Sequence, residues 1–343
     1  MQRWIPVVVL TLTACNPSGR VELHGSAMGT TWTVTFAEPL DAAAARRAET
    51  AVRSALSEAE AVLSGWNAAS ELSAFNRHDG TGWVPVSEPL YAVLEAARTV
   101  NQQSGGAFDL TIAPLVALWG FGSSASKESA PSDLEIADAL RRVGAEKLEL
   151  RIVPRAARKL VPGVRLDLDA IAPGLVVDRI SRDLAALGYS NHIVEIGGEV
   201  RCRGRGPGGR AWRTAVERPQ TGARIVQAVV ALDGLGISTS GDYRDFRVLE
   251  GTRISHTIDP RSGRPVRHAL ASVSVVHESV MLADAYATAL MVLGPEEGYE
   301  LAERLELPAH FIVRARDGFA VRATKGFDRL RIGERDLPHG AHN

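Results

Sequence analysis

The sequence has little of several features that would settle a function class at once. Its formal net charge is −1 over 343 residues, so it lacks the basic face that nucleic-acid binding requires. Two cysteines cannot build a disulfide framework. Motifs of the Cys-x-x-Cys, His-Glu-x-x-His and nucleophilic-serine types are missing, which argues against zinc and triad chemistry. The 45% hydrophobic content indicates a globular chain with a substantial core.

The N-terminus is the one segment with a targeting pattern. Arg3 precedes a short apolar run and then Leu12-Thr13-Ala14-Cys15, which resembles the end of a bacterial lipoprotein signal. We predict a signal peptide at 1–14, a lipidated tether at 15–20 that begins at Cys15, and one domain at 21–343. The alternative is an ordinary secretory signal followed by an incidental cysteine.

Hydrophobic periodicity predicts a mixed chain in which many strands are adjacent in sequence. That pattern favours an α+β fold with mixed, largely antiparallel sheets flanked by helices. We expect helices at 41–63, 90–104 and 174–188, strands at 30–36 and 164–169, a strand broken at Gly197-Gly198, and a loop at 122–133. The stretch "GRGPGGR" lacks the Lys-Ser/Thr of a P-loop and is predicted to be a hairpin tip.

The helical stretch "ADAYATALMVLG" carries two polar residues where an ordinary core would have apolar ones. Asp284 and Thr288 are four residues apart and therefore share one helix face. A carboxylate on an apolar helix is costly unless it binds a partner. Two oxygen donors suit a hard cation, Mg²⁺ before zinc, and Mg²⁺ usually completes its shell with water and a substrate phosphate. A phosphate-containing ligand is implied but not identified.

Four other stretches also place polar residues in apolar or β-forming surroundings. They contain Asp109 with Thr111, Asp167 with Asp169, the hydroxyls of "GISTSGD", and His256. Each has an ordinary structural explanation as well, since Asp and Ser are frequent in turns and helix caps. Taken singly, none of them decides a function.

Together these stretches resemble the ApbE-type FAD:protein FMN transferases, a family of flavin transferase lipoproteins. The resemblance runs from "GSAMGTTW" to "ADAYATALMVLG" and includes "SELSAFN", "FDLTIAPLVALWGFG", "LDLDAIAPG", "IVEIGGEVRCRG", "ISTSGDYRDF" and "ISHTIDPRSGRPV", in the family's order. It implies a T-fold-related architecture with the flavin site in a central cleft. It also implies that FAD is cleaved with Mg²⁺, that FMN is attached to a Thr or Ser of a partner protein through a phosphoester bond, and that AMP is released.

The resemblance assigns the metal ligands residue by residue. Asp284, Thr288 and the backbone carbonyl of Ala170 match the family's Mg²⁺ ligands. Many members carry a second Asp just before the Thr, whereas this chain has Ala287 there. One carboxylate fewer is expected to weaken binding of the free ion.

The resemblance also implies the flavin contacts and the catalytic base. His256 matches the family's general base, and a histidine with an ordinary pKa near ~6.5 can take a proton at neutral pH. Pro173 departs from the Lys, Glu or Gln usual at its position, so any side-chain polar contact at that point is lost or supplied elsewhere. The implied cofactor-binding residues are Met28, Trp66, Ala107, Phe108, Asp109, Asp167, Pro173 and Ile258.

The same resemblance implies the partners and the location. The acceptors are expected to be subunits of Nqr- or Rnf-like redox complexes, and the enzyme is expected at the periplasmic face of the inner membrane, held by its lipid. Two alternatives stay open at this stage. Water could replace the acceptor, giving an FAD diphosphatase that yields FMN and AMP, or the chain could be a lipid-anchored FAD-binding protein without turnover.

Overall fold

The computed structural model describes residues 21–122, 129–220, 225–243, 246–249 and 252–332. The predicted signal peptide and tether, including Cys15, lie outside the described residues. So does the centre of the predicted loop at 122–133.

The described residues form strands and helices that alternate irregularly along the chain. The strands are β1 (Val21–Ala27), β2 (Thr30–Phe36), β3 (Val84–Pro85), β4 (Leu148–Ile152), β5 (Arg155–Lys159), β6 (His192–Ile196), β7 (Glu199–Arg203), β8 (Trp212–Glu217), β9 (Val226–Leu232), β10 (Gly236–Gly241), β11 (Phe246–Leu249), β12 (Thr252–Ser255), β13 (Ile258–Asp259), β14 (Arg264–Pro265), β15 (Leu270–His277), β16 (Ala309–Ala315) and β17 (Gly318–Ala323). The helices are α1 (Ala42–Leu63), α2 (Glu71–Arg77), α3 (Glu88–Gln103), α4 (Ala113–Leu118), α5 (Asp133–Leu140), α6 (Ala172–Ala186), α7 (Val280–Arg304) and α8 (Lys325–Asp328).

The main sheet has eight strands in the order β1-β2-β6-β7-β10-β15-β16-β17, each antiparallel to its neighbours. Smaller sheets join β3-β5-β4, β8-β9, β11-β12 and β13-β14. Helices α1, α6 and α7 pack against the main sheet and share its apolar clusters. The predicted α+β class, with largely antiparallel sheets and flanking helices, is confirmed.

In the half of the main sheet formed by β1, β2, β6 and β7, two rows of aligned residues mark the two ends of the strands. Val21, Phe36, His192 and Arg203 are aligned across β1, β2, β6 and β7, and we call this row the Val21 end. Four residues further along the strands lies a second row that includes Glu199; we call it the cleft end. At ~3.3 Å per residue the two rows are about 13 Å apart.

The predicted helices are close to the observed ones because their caps are visible in the sequence. Asp41 caps α1 by accepting the N–H of Ala44 at 2.7 Å. Gly188 follows α6 with φ +92°, a left-handed conformation that favours glycine. The helix α7 extends past the predicted stretch but is kinked at Gly294, which has φ +84° and precedes Pro295.

Two sequence-based predictions were wrong. Residues 164–169 make only one β-bridge, between Arg165 and Ile112, and are otherwise extended without strand pairing. The side chain of Asn76 takes the place of a neighbouring strand there, because it bonds both backbone groups of Leu166, at 2.7 and 2.8 Å. The "GRGPGGR" stretch is not a hairpin tip, since it connects β7 of the main sheet to β8, which pairs with β9.

Among the described residues, no helix combines the length and apolar character needed to cross a bilayer.

Candidate functional site

The predicted metal ligands on α7 face two serines of strand β10. The Ser238 hydroxyl donates to Asp284 Oδ1 at 3.4 Å. The Ser240 and Thr288 hydroxyl oxygens are 3.1 Å apart. The helix therefore brings the two predicted ligands together with two hydroxyls that the sequence did not assign.

The two elements match because their repeats are nearly equal. Four residues of helix rise about 6 Å, and two residues of strand rise about 6.6 Å. Ser238 and Ser240 therefore follow the spacing of Asp284 and Thr288. The same spacing continues to Gly236, two residues before Ser238, and Val280, four residues before Asp284. A Cβ built on Gly236 would overlap Val280, so glycine is needed where helix and strand approach closely.

Asp284 is buried, with 5% of its surface exposed. Its Oδ2 has no hydrogen-bond partner among the described residues. Burial first, and then the Glu199 carboxylate, raise its pKa well above the ordinary range, while the Gly174 N–H and the Ser238 hydroxyl oppose that rise in part. A buried acceptor without a donor is the feature a bound cation would satisfy.

Glu199 is a second carboxylate at the site. The Ser238 hydroxyl lies 3.3 Å from Glu199 Oε1 as well as near Asp284, and one hydroxyl proton can serve only one acceptor at a time. Burial is the main cause that raises the pKa of Glu199 to about 7, and the Glu195 charge adds to it. The site therefore has more carboxylate oxygens than nearby donors.

Asp167 and Asp169 add further negative charge from the segment before α6. Asp167 Oδ1 accepts the N–H of Asp169 at 2.9 Å, which closes a local turn. Asp169 is exposed, and the neighbouring Asp167 charge is the main cause that raises its pKa to about 7, whereas a hydrogen bond from the Trp66 side chain lowers it. Trp66 is 59% exposed and so offers an aromatic surface beside these carboxylates.

The donor set fits a hard cation. Within the described part of the chain, no three His, Cys, Asp or Glu side chains form a metal-binding group, so a metal here would depend on hydroxyl and carbonyl oxygens besides Asp284. The predicted ligands Thr288 and the carbonyl of Ala170 would supply that oxygen chemistry, which Mg²⁺ accepts and zinc disfavours. Ala287 is fully buried in the main apolar cluster, so this chain places a methyl group where many members have a carboxylate.

The start of α6 approaches α7 closely beside Asp284. A Cβ on Gly174 would lie 2.5 Å from the Val280 carbonyl oxygen, so only glycine allows this contact. Pro173 lies in the first turn of α6, where a missing N–H breaks no helical hydrogen bond. Its predicted flavin contact is untested, and any such contact would be apolar.

The segment that precedes α4 is tied to the segment with Asp167. Asp167 N–H donates to the Leu110 carbonyl at 2.8 Å. The Asp109 carboxylate accepts from Thr111 N–H at 2.8 Å, from Thr111 Oγ1 at 2.6 Å and from Ala145 N–H at 2.7 Å. Asp109 thus holds this turn in place, while its flavin contact stays a prediction. Two predicted contacts next to it are almost fully buried, Ala107 and Phe108.

Met28 occupies a strained turn at the far end of β1. It has φ +52° and is followed by Gly29 with φ +74°, the pattern of a two-residue hairpin turn. Glu60 of α1 accepts the Met28 N–H at 3.0 Å. A non-glycine residue in the left-handed region costs energy and often marks a functional position.

His256 is half-buried between β12 and β13. Arg253, three residues earlier, donates to the carbonyl of Asp242, which follows β10 shortly after Ser240. This bond places the His256 segment near the end of β10 that carries Ser240. Its predicted role as a base is untested. Ile258 is 3% exposed and packs in the apolar cluster around Trp119.

Sequence reasoning missed three residues of the site, Glu199, Ser238 and Ser240. Their stretches were noticed, but the residues were not assigned. Two signals were present: the two serines of "GISTSG", which are two positions apart and share one strand face, and a Glu directly after Gly-Gly.

Comparison with known proteins supports one family. The ApbE family model matches residues 28–311. A Vibrio cholerae protein named FAD:protein FMN transferase is 37% identical over 330 residues, covering 95% of this chain and 98% of its own. One of the same name from Haemophilus influenzae is 35% identical, covering 94% and 95%.

Solved structures agree. The flavin transferase ApbE from Vibrio cholerae matches with a TM-score of 0.83 and 35% identity, covering 91% of this chain and 99% of that one. The apo form of the Pseudomonas stutzeri flavinyl transferase ApbE matches with a TM-score of 0.82 and 39% identity, covering 91% and 96%.

Proposed function

The chain belongs to the ApbE family, and from that premise we propose that it is an FAD:protein FMN transferase that uses Mg²⁺ and releases AMP. Its relatives carry that transferase name over nearly the full length of both chains. The observation that carries the proposal is the buried Asp284 Oδ2 without a partner among the described residues, on the helix that carries Thr288 and close to the carboxylates of Glu199 and Asp169. A site that concentrates negative charge needs a cation before it can hold a pyrophosphate.

The reaction exchanges one phosphorus–oxygen bond for another. The acceptor hydroxyl oxygen of a Thr or Ser attacks the phosphorus on the FMN side of the pyrophosphate. The bond from that phosphorus to the bridging oxygen breaks, AMP leaves with the bridging oxygen, and the hydroxyl gives up its proton. Asp284, Thr288 and the Ala170 carbonyl would hold Mg²⁺, which when bound neutralises the phosphate charge that grows as AMP departs.

His256 is the base we propose for the proton. An imidazole can accept it at neutral pH, whereas the Asp284 carboxylate would be occupied by the cation. Trp66 offers its exposed face for stacking, and we propose that it contacts the flavin together with Met28.

The test is a reaction of the protein with FAD, Mg²⁺ and a Thr-containing acceptor peptide. Mass spectrometry should find peptide that has gained FMN, with AMP released in equal amount. Free FMN in equal amount to AMP, without modified peptide, would instead identify an FAD diphosphatase. Bound FAD with neither product would identify a binding protein. The Asp284→Asn variant is the matched control and should give neither product.

We also propose the acceptors and the location that the family resemblance implies. The acceptors are subunits of Nqr- or Rnf-like redox complexes, and the enzyme is held at the periplasmic face of the inner membrane by lipid on Cys15. One acyl chain anchors only marginally, so a bacterial lipoprotein's several chains are needed. The Cys15→Ser variant should leave the membrane fraction. Fractionation identical to wild type would contradict the anchor.

A further inference from the structure

The Val21 end of the main sheet gathers the start of the described chain and an arginine-glycine loop. Arg203 ends β7 in the same row as Val21, and the loop 204–211 follows it. The Asn191 side chain fixes this loop by accepting the N–H of Arg205 at 2.7 Å. The Asn191 carbonyl accepts the N–H of Ala37, which follows β2. The loop and the beginning of β1 are therefore neighbours.

The length of chain before Val21 limits how far this end can lie from a bilayer. This step rests on the lipid anchor at Cys15 proposed above. Six residue steps separate Cys15 from Val21, and a fully extended chain spans at most ~3.5 Å per step, or about 20 Å. The tether therefore keeps the Val21 end within about 20 Å of the lipid.

The loop has the chemistry of a phosphate-binding surface. Arg203, Arg205 and Arg210 are exposed. The residues between them are mostly glycine with one proline, so no bulky side chain among these residues would prevent the arginines from contacting a flat surface. Arg205 pairs with Asp233 at 3.1 Å, but both side chains are more than half exposed. A pair so exposed contributes little and can be exchanged for a lipid phosphate.

The neighbouring charges are mixed, with the excess on the basic side. The first turns of α1 add the exposed Arg46 and Arg47. Four acidic residues lie close by: Asp41 caps α1, Glu38 accepts from Asn191, Asp233 pairs with Arg205, and Glu22 is exposed beside Val21. The five arginines outnumber them by one. Basic residues held near an anionic bilayer are attracted to it.

We propose that the Val21 end rests on an anionic phospholipid bilayer, with Arg203, Arg205 and Arg210 on lipid phosphates, so that the carboxylate cleft faces away from the membrane. Glu199 lies at the opposite end of β7 from Arg203, about 13 Å further from the lipid by strand rise. Acceptor hydroxyls must then be carried by a segment that projects from the bilayer to that height, not by one lying in the lipid headgroups.

The experiment places a fluorescent probe at each end of the sheet in the acylated full-length protein. Ser190→Cys labels the Val21 end without removing a proposed contact, because Ser190 is exposed and precedes Asn191. Ser26→Cys, near the other end of β1 and also exposed, is the matched control. Cys202 is fully buried, so it leaves the introduced thiol as the one that reacts. The proteins are reconstituted in vesicles of phosphatidylcholine with and without phosphatidylglycerol, and a headgroup-attached quencher is added.

We expect quenching at position 190 and little at position 26, with the difference growing when phosphatidylglycerol is present. Adding Arg203→Gln and Arg205→Gln should abolish the dependence on phosphatidylglycerol. Equal quenching at both positions, or stronger quenching at 26, overturns the orientation. Quenching at position 190 that does not depend on phosphatidylglycerol overturns the phosphate contacts. A dependence on phosphatidylglycerol that is seen only after an acidic partner protein is added overturns them as well. Acyl mass on Cys15 is measured in the same samples, so failure of the anchor is read separately from failure of the orientation.

Discussion

Replacing Glu199 with glutamine tests whether the carboxylates of the site destabilise the fold when they are ionised and no cation is bound. The glutamine keeps the size of the side chain and an oxygen that can accept from Ser238, but it removes one charge. In wild-type protein without metal, burial raises the pKa of Glu199 from 4.5 to about 7. Ionising that group at alkaline pH therefore opposes folding.

The magnitude follows from the size of the pKa change. At about 1.4 kcal/mol per pKa unit, a rise from 4.5 to about 7 corresponds to about 3 kcal/mol of unfolding free energy. Because the folded pKa is the higher one, the contribution to stability is complete below pH 4.5 and is lost as the pH rises through about 7. Glutamine does not titrate, so the variant should be about 3 kcal/mol more stable than wild type at pH 8. The gap should shrink to under about 1 kcal/mol at pH 5.

The assay is urea or thermal unfolding in EDTA from pH 5 to 8.5. Glu22→Gln, an exposed change on β1, is the control and should stay within about 0.5 kcal/mol of wild type throughout. Adding Mg²⁺ should stabilise wild type more at pH 8 than at pH 5, since the cation offsets the cost of burying the ionised carboxylate. If Glu199→Gln is no more stable than wild type at pH 8, or if its effect is the same at pH 5, Glu199 is an ordinary structural residue.

Three further changes probe the other parts of the site. Asp284→Ala should abolish Mg²⁺-dependent AMP release. Its metal-free melting temperature should hold or rise, because a buried charge is removed. Full transfer by this variant would exclude the residue from the site. His256→Ala should bind FAD nearly as wild type in a titration but turn over roughly 10²- to 10⁴-fold more slowly. A normal rate with a raised KM would make it a flavin contact instead. Gly174→Ala should lower the free energy of unfolding in urea by about 1–3 kcal/mol, because its Cβ would lie 2.5 Å from the Val280 carbonyl oxygen. Unchanged stability would mean that α6 can move away from α7 freely.

The sequence was most informative where a residue contradicted its own local pattern. Asp284 and Thr288 stood out because an apolar helix does not take them without a reason, and the structure leaves Asp284 Oδ2 without a partner among the described residues. Glu199 was not identified, because its importance depends on a neighbour 85 positions away along the chain. Local pattern cannot report which strand a helix will pack against.

The wrong strand at 164–169 has a similar origin. Val164, Leu166 and Leu168 alternate with polar residues and are all buried, so the predicted faces were correct. The backbone partners, however, come from the side chain of Asn76 and from Leu110. Alternation reveals which way side chains point, but not what pairs with the backbone.

The matched spacing of α7 and β10 makes the site unusually sensitive to a change in chain length. Inserting one residue within β10 before Ser238 would turn both serines to the opposite face of the sheet. Inserting one within α7 between Val280 and Asp284 would rotate the later residues by about 100° and carry the carboxylate away from the strand. Substitutions can be tried at these positions one at a time, whereas a single insertion or deletion in either element would displace every polar contact at once. Loop grafting and length variation in this enzyme therefore belong elsewhere, in the connections before β10 and after Gly294.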